Sequence, residues 1–285
     1  MTWLLFAVGS AFFAGITSIL AKIGIEDVDS DLATAIRTTV VLVFTWLMVA
    51  IVGSAGQTGA VSARSWTFII LSGLATGASW LCYFKALQLG NVNKVAPIDK
   101  SSTILTIILA FIFFHETVSF VKVVGVIAIG IGTLMMITKK KSDKKSESGW
   151  LWFALGSALF ASLTALFGKM GVENVESNLA TALRTIVVLI VAWAMVFMKG
   201  EQKTIKSITR KSWLFLFLSG LATGLSWLCY YRALQIGPAS AVVPIDKLSI
   251  LVTIVFSYFW LHEKLSKTAL AGLVLLTAGT LAMVL

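Results

Sequence analysis

The chain has 285 residues, 58% of them hydrophobic, with a mean hydropathy of +0.93, against about 45–50% apolar residues in soluble globular domains; lipid, not water, is the solvent for most of it. Lys and Arg number 23 against 13 Asp and Glu, a net charge of +10. In a soluble chain that would suggest nucleic acid, but here the basic residues sit in short loops between apolar runs, so the anionic membrane surface accounts for them and nucleic-acid binding is excluded.

A run of about 20 apolar residues crosses the hydrocarbon core. Spans are predicted over 3–22, 31–53, 67–89, 95–114 and 118–138, and then over the same five positions displaced by 147 residues. Trp3, Trp66, Trp150 and Trp213 each open a segment, where an amphipathic ring sits at headgroup level. The first segment has no Lys or Arg ahead of it and no cleavage-like loop after it, so it is expected to stay as a span and not to act as a cleavable signal. Cys82 and Cys229 occupy equivalent apolar positions and read as small core residues, not as a disulfide or metal site.

The displacement of 147 residues is a tandem duplication. Leu71–Gly90 reads LSGLATGASWLCYFKALQLG and Leu218–Gly237 reads LSGLATGLSWLCYYRALQIG, and about 45% of aligned positions are identical without a gap. A repeat this long holds a whole helical bundle, the arrangement of secondary transporters. The expected organisation is a five-helix unit over 1–138, a basic linker over 139–149 and a second unit over 150–285. Five spans is an odd number, so the second unit must enter the membrane upside down. Loop charge agrees: residues 53–65 carry only Arg64, whereas the equivalent 200–212 carry Lys203, Lys206, Arg210 and Lys211. The second loop and the lysine-rich linker are expected on the cytoplasmic side, with both termini outside.

Within the repeated stretch, Gly73 and Gly77, with Gly220 and Gly224, form small-xxx-small pairs that admit a neighbouring helix. Ser72, Thr76, Ser79 and Tyr83 fall on one helix stripe, matched by Ser219, Thr223, Ser226 and Tyr230. Hydroxyls facing lipid lack partners, so the stripe faces a wet cavity or, alternatively, hydrogen-bonds between helices. Trp80 and Trp227 add aromatic surface beside it.

Two PIDK motifs, Pro97–Lys100 and Pro244–Lys247, open the fourth and ninth spans, where proline suits a first helical turn. Asp99 and Lys100, like Asp246 and Lys247, are adjacent and point in different directions, which prevents simple mutual neutralisation. Ser102 and Thr106 follow the first motif, and Ser249 and Thr253 the second, as candidate cavity walls. Arg37 and Arg184 lie inside the second and seventh spans in matched LATAIRT and LATALRT segments. Ionisable groups at such depth are expensive and mark a substrate pathway or gate, the alternative being a static ion-pair network. Lys22, Lys85, Lys169 and Arg232, at helix ends, are expected to snorkel to the interface. His115-Glu116 and His262-Glu263 lack a third metal ligand nearby in sequence, so no metal site is expected.

At these residues the chain resembles the EamA-like branch of the drug/metabolite transporter superfamily, over essentially its whole length, as a ten-helix fused form of a five-helix unit. The resemblance implies an all-α integral membrane protein of ten transmembrane helices in two inverted repeats. It further implies a central cavity between the first four helices of each repeat, peripheral fifth and tenth helices, and alternating access, often in export of metabolites from a bacterial cell membrane. Ten-helix relatives commonly keep both termini in the cytoplasm, so loop charge departs from the family here, and the direction of transport does not carry across.

The expected function is secondary transport of a small polar metabolite, anionic or zwitterionic such as an amino acid. Arg37, Arg184, Lys100 and Lys247 would serve an anionic group, while Asp99 and Asp246 pair an amine or carry a proton. No cofactor is expected beyond possible proton coupling, and the assembly is a monomer or homodimer in the bilayer. Export of lipophilic organic cations on Trp80, Tyr83, Trp227 and Tyr230 is the competing transport reading. An intramembrane enzyme or scaffold is the reading outside transport, and no nucleophile elbow or metal motif supports an enzyme.

Overall fold

The computed structural model describes residues 2–114, 119–137, 149–172, 175–236, 242, 245–262 and 264–282. Among them, the first repeat contains α1 (Thr2–Gly24), α2 (Ser30–Val52), α3 (Ala63–Leu89), α4 (Val92–Lys100), α5 (Ser102–Phe114) and α6 (Phe120–Ile137). The second contains α7 (Trp150–Gly171), α8 (Ser177–Lys199), α9 (Arg210–Ile236), α10 (Ser249–Trp260) and α11 (Lys267–Ala282). Two short 3-10 helices, Ser54–Ala60 and Glu201–Ser207, follow α2 and α8. The fold is that of an all-α membrane protein: Thr2–Gly24, Ser30–Val52, Ala63–Leu89, Trp150–Gly171, Ser177–Lys199 and Arg210–Ala233 are long and apolar enough to cross a bilayer.

Capping residues set the helix ends. Asp29 starts α2 by accepting the Asp31 N–H at 2.7 Å, and Glu176 starts α8 by accepting those of Asn178 and Leu179 at 3.0 and 2.9 Å. Gly53 and Gly200 end the same helices at φ 75° and 73°, a left-handed turn that glycine adopts without a Cβ penalty. Lys22, expected to snorkel, instead donates to the Leu87 carbonyl and, at 2.9 Å, to that of Gly90, capping the carbonyl end of α3.

The fourth span departs from expectation. It begins earlier than residue 95, at Val92, behind an Asn91 cap whose side chain accepts the Asn93 N–H at 2.9 Å, so Pro97 lies inside a helix and not in a first turn. An interior proline lacks the N–H that would bond Asn93 and crowds that carbonyl. The helix breaks four residues later at Ser101, whose hydroxyl turns back to Ile98 O at 2.6 Å, and restarts as α5. The second repeat repeats this turn at Leu248, between helical residues 245–247 and α10. Pro244, His115, Glu116, Glu173, Glu263 and nearly all of the 139–149 linker lie outside the described residues.

The repeats interlock through equivalent contacts. α1 packs on α9 as α3 packs on α7, while α2 meets α8 and α6 meets α11 as self-related pairs. Ser72 reaches Thr164 O and Ser79 reaches Ser157 O, so α3 and α7 run antiparallel; Ser219 to Thr17 O and Ser226 to Ser10 O show the same for α9 and α1. A Cβ on Gly73 would meet Val187 and one on Gly77 would meet Val191, which makes α3 and α8 parallel. Short connections make successive helices alternate, so α1 and α7 point in opposite directions and the packing has the two-fold character of an inverted repeat.

Close backbone approach holds these pairs. A Cβ on Gly73 would lie 2.7 Å from Val187 Cβ, and on Gly220 the same distance from Val40 Cβ. Outward faces carry Val43, Leu47 and Ile51 on α2 and Leu134 on α6, each more than half exposed, which suits lipid and not water.

Candidate functional site

A cavity of about 190 Å³ lies where the two repeats meet. Its 21 lining residues form ten pairs separated by 147 positions plus one residue without its counterpart, Arg37. The two-fold packing therefore gives the cavity two nearly equivalent halves.

The carboxylates are held alike in each half. Ser157 of α7 donates to Asp99 Oδ1 at 2.9 Å, and its counterpart Ser10 of α1 donates to Asp246 Oδ1 at 2.6 Å. Each serine comes from the opposite repeat and is tied to α3 or α9, through Ser79 to Ser157 O and Ser226 to Ser10 O, both at 3.1 Å. The turns at Ser101 and Leu248 follow directly after the Asp-Lys pairs, so helix breaks present these charges to the cavity. Lys100 Nζ stands 4.0 Å from Asp99 Oδ2, so the adjacent pair does reach ion-pair distance, contrary to the expectation from i, i+1 geometry.

Aromatic rings form the wall. Trp80 and Trp227 meet edge to face with centroids 6.1 Å apart, Trp227 also packs on Tyr230 and Tyr231, and the Tyr83 hydroxyl shares a 2.8 Å hydrogen bond with Ser18. The position equivalent to Ser18 is Ala165, so Tyr230 has no such serine beside it.

Arg37 is 1% exposed, yet no carboxylate pairs with it among the described residues. Its Nε donates to Ser219 Oγ and its Nη2 to Thr223 Oγ1, each at 2.8 Å, its plane lies over Phe84 at 4.0 Å, and its Nη1 has no partner. Arg184 is 3% exposed and built on the same plan, with Nη2 on Thr76 Oγ1 at 3.1 Å and its guanidinium 4.3 Å over Trp227. Its Nε and Nη1 lack partners, and it does not line the cavity.

Of the residues singled out in the sequence, Trp80, Tyr83, Asp99, Lys100 and Arg37 line one half of the cavity, and Trp227, Tyr230, Asp246 and Lys247 the other. Thr76, Ser79, Thr223 and Ser226 also reach it. Ser72 and Ser219 sit instead in helix contacts, donating to Thr164 O and Thr17 O at 3.0 Å. Ser102 and Ser249 are buried behind the helix breaks, Thr106 donates to Ser102 O at 2.9 Å, and Thr253 donates to Gly15 O at 3.2 Å. Ser10 and Ser157 escaped notice in the sequence; their signal is a GSA triplet kept at Gly9–Ala11 and Gly156–Ala158 inside otherwise apolar helices.

Away from the cavity lining, Asp29, Asp31 and Glu201 place carboxylate oxygens within 4.8 Å of one another where the start of α2 meets the end of α8, with Lys199 bonded to Asp31. Burial, then a hydrogen bond to Asp29 and the charges of Asp29 and Asp31, push the Glu201 carboxyl up to about 7.

Residues 1–138 and 148–285 each match the EamA-like transporter family. The chain belongs to that family. It is 46% identical over 135 residues to an uncharacterized transporter in the cobO 3' region of Sinorhizobium sp., a match covering 47% of this chain and 96% of that protein, which is therefore about one repeat long. It is also similar to the uncharacterized transporter YvbV of Bacillus subtilis (29% identity; 76% of this chain and 71% of that protein). A further relative is an S-adenosylmethionine uptake transporter of Rickettsia bellii (25% identity; 74% and 70%). A crystal structure with 14% sequence identity superposes at a TM-score of 0.72 over 96% of this chain and 94% of that one, which shows a shared fold. This EamA-like protein thus joins two family units in one multi-pass membrane chain.

Proposed function

We propose that this EamA-like transporter carries a small metabolite bearing an anionic group, either an organic acid or a zwitterion such as an amino acid, through the cavity between its repeats. The observation that carries this reading is Arg37. A guanidinium stays charged at every physiological pH, and here it borders the cavity with a free N–H and hydroxyl partners only. Lining side chains carry three positive groups, Arg37, Lys100 and Lys247, against Asp99 and Asp246, so the field of the site favours an anion. Asp99 and Asp246 receive the amine of a zwitterion or carry a coupling proton.

The S-adenosylmethionine of the Rickettsia relative combines a sulfonium with an amino-acid group. In this cavity Arg37 suits the carboxylate, while the positive excess opposes the sulfonium. Alternating access arises as the two repeats rock against each other around the site. Export is the proposed direction, with the basic linker on the cytoplasmic side and both termini outside, as loop charge indicates. The competing reading, organic-cation export, draws on the Trp80–Trp227 wall.

A thermal-shift screen in detergent tests the proposal, since ligand at 100 times its Kd stabilises the folded state by about 2.7 kcal/mol. Amino acids or organic acids are expected to raise the melting temperature of the wild type but not of Arg37→Gln. Stabilisation by quaternary ammonium compounds alone, unaffected by Arg37→Gln or Lys100→Ala, would overturn it.

A further inference from the structure

Every residue lining the cavity has its repeat counterpart in the lining except Arg37. Its missing counterpart, Arg184, is not remodelled for another purpose. It keeps the same bond from Nη2 to a threonine of the opposite repeat, Thr76 for Arg184 and Thr223 for Arg37. It keeps the aromatic support, lying 4.3 Å over Trp227 and 5.2 Å from Tyr231, where Arg37 lies over Phe84, the counterpart of Tyr231. Like Arg37 it is almost fully buried without an ion pair among the described residues, and it leaves two guanidinium nitrogens unbonded where Arg37 leaves one.

A permanent charge buried with donors unspent favours an anion in some state of the protein, because hydroxyls and rings compensate its desolvation only in part. Only one of the two matched arginines lines the cavity, so the conformation described is asymmetric at a position that both repeats keep. In an inverted repeat the opposite asymmetry is available when each repeat adopts the conformation of the other. That exchange would bring Arg184 into the cavity lining and withdraw Arg37 from it.

We propose that Arg184 is a second anion-binding residue, exposed to the cavity in place of Arg37 when access passes to the other side of the membrane. The substrate's anionic group is then held by Arg37 on one side and by Arg184 on the other. This inference rests on the cavity and alternating-access reading above. Gly168 adds a local feature: a Cβ there would lie 3.7 Å from Arg184 Nη1, 3.5 Å from the Tyr231 hydroxyl and 3.4 Å from Ser72 Oγ. The first repeat has Ala21 at this position and Phe84 in place of Tyr231, so the surroundings of Arg184 carry one more hydroxyl and one methyl fewer.

The test is sidedness of access. In a Cys82→Ser, Cys229→Ser background, Arg37→Cys and Arg184→Cys are reconstituted in sealed vesicles and exposed to a membrane-impermeant maleimide from each face. The expected result is modification of Arg37→Cys from one face and of Arg184→Cys from the opposite face. Modification of both from the same face, or of Arg37→Cys only, overturns the exchange while leaving the cavity reading intact. Modification of neither overturns both. Gly168→Cys reports on the same surroundings with both arginines retained, its added Cβ meeting only ordinary contact distances, and is used if Arg184→Cys is not monodisperse. The same opposite-face labelling is expected of it, and labelling from the Arg37 face or from neither counts against the exchange.

Discussion

Trp80 and Trp227 meet edge to face, ring centroids 6.1 Å apart and planes at 71°, and they are repeat counterparts. A residue that touches its own equivalent must lie close to the axis relating the two copies, so the indole pair marks where the repeats turn about each other. The cavity is built around that axis, which is why nearly the same side chains line it from two directions.

An aromatic pair of this geometry contributes about 0.5–1.5 kcal/mol beyond the area it buries. Trp80→Leu and Trp227→Leu are each expected to lower the melting temperature in detergent, and the double variant to be less destabilised than the sum by about that amount. Strict additivity in the double-mutant cycle would remove the pair from the energetics of the axis.

Hydrogen bonds from Ser157 and Ser10 orient the Asp99 and Asp246 carboxylates. Asp99→Asn and Asp246→Asn are expected to cut uptake into proteoliposomes by about tenfold or more, since a hydrogen bond to a charged group is worth roughly 1.5–3 kcal/mol. Ser157→Ala and Ser10→Ala should lower turnover in the same direction, with an unchanged elution profile. Full transport in all four variants would take the carboxylates out of the mechanism.

Helix approach at the glycines is testable through stability alone. Gly73→Ala and Gly220→Ala put a Cβ 2.7 Å from Val187 and Val40 respectively, close to backbone carbonyls as well, and overpacking of this kind costs typically 1–3 kcal/mol. Gly56→Ala, with nothing within 4 Å of the added carbon, is expected to change stability by less than about 0.5 kcal/mol. Melting curves of the three proteins in one detergent decide the matter.

Glu201 supplies a pH dependence. Its carboxyl is raised from 4.5 to about 7 in the folded protein, chiefly by burial and then by Asp29 and Asp31, so between those values the folded state binds more protons than the unfolded. Its contribution to stability is present below pH 4.5 and is lost as the pH rises toward 7. Glu201→Gln should flatten the fall in melting temperature across that window. An unchanged slope in the variant would assign the fall to other groups. The second repeat serves as an internal contrast, because Ser54 and Asn178 stand where the first junction has Glu201 and Asp31.

Composition and spacing decided the class of this protein, because both act locally. Apolar runs of spanning length need lipid wherever they fold, an odd number of them inverts a tandem copy, and a repeat aligned without a gap names the polar residues that recur. Asp99, Lys100, Thr76 and Trp80 were legible as cavity residues for that reason. The tertiary structure decided what symmetry in the sequence leaves equal. It placed Arg37 in the cavity lining and left Arg184 stacked on Trp227 outside it, set Ser72 and Ser219 into helix contacts while Ser79 and Ser226 reach the cavity, and put Ser10 and Ser157 on the carboxylates of the opposite repeat. Each of these depends on contacts between residues of different repeats, which spacing within one repeat does not specify.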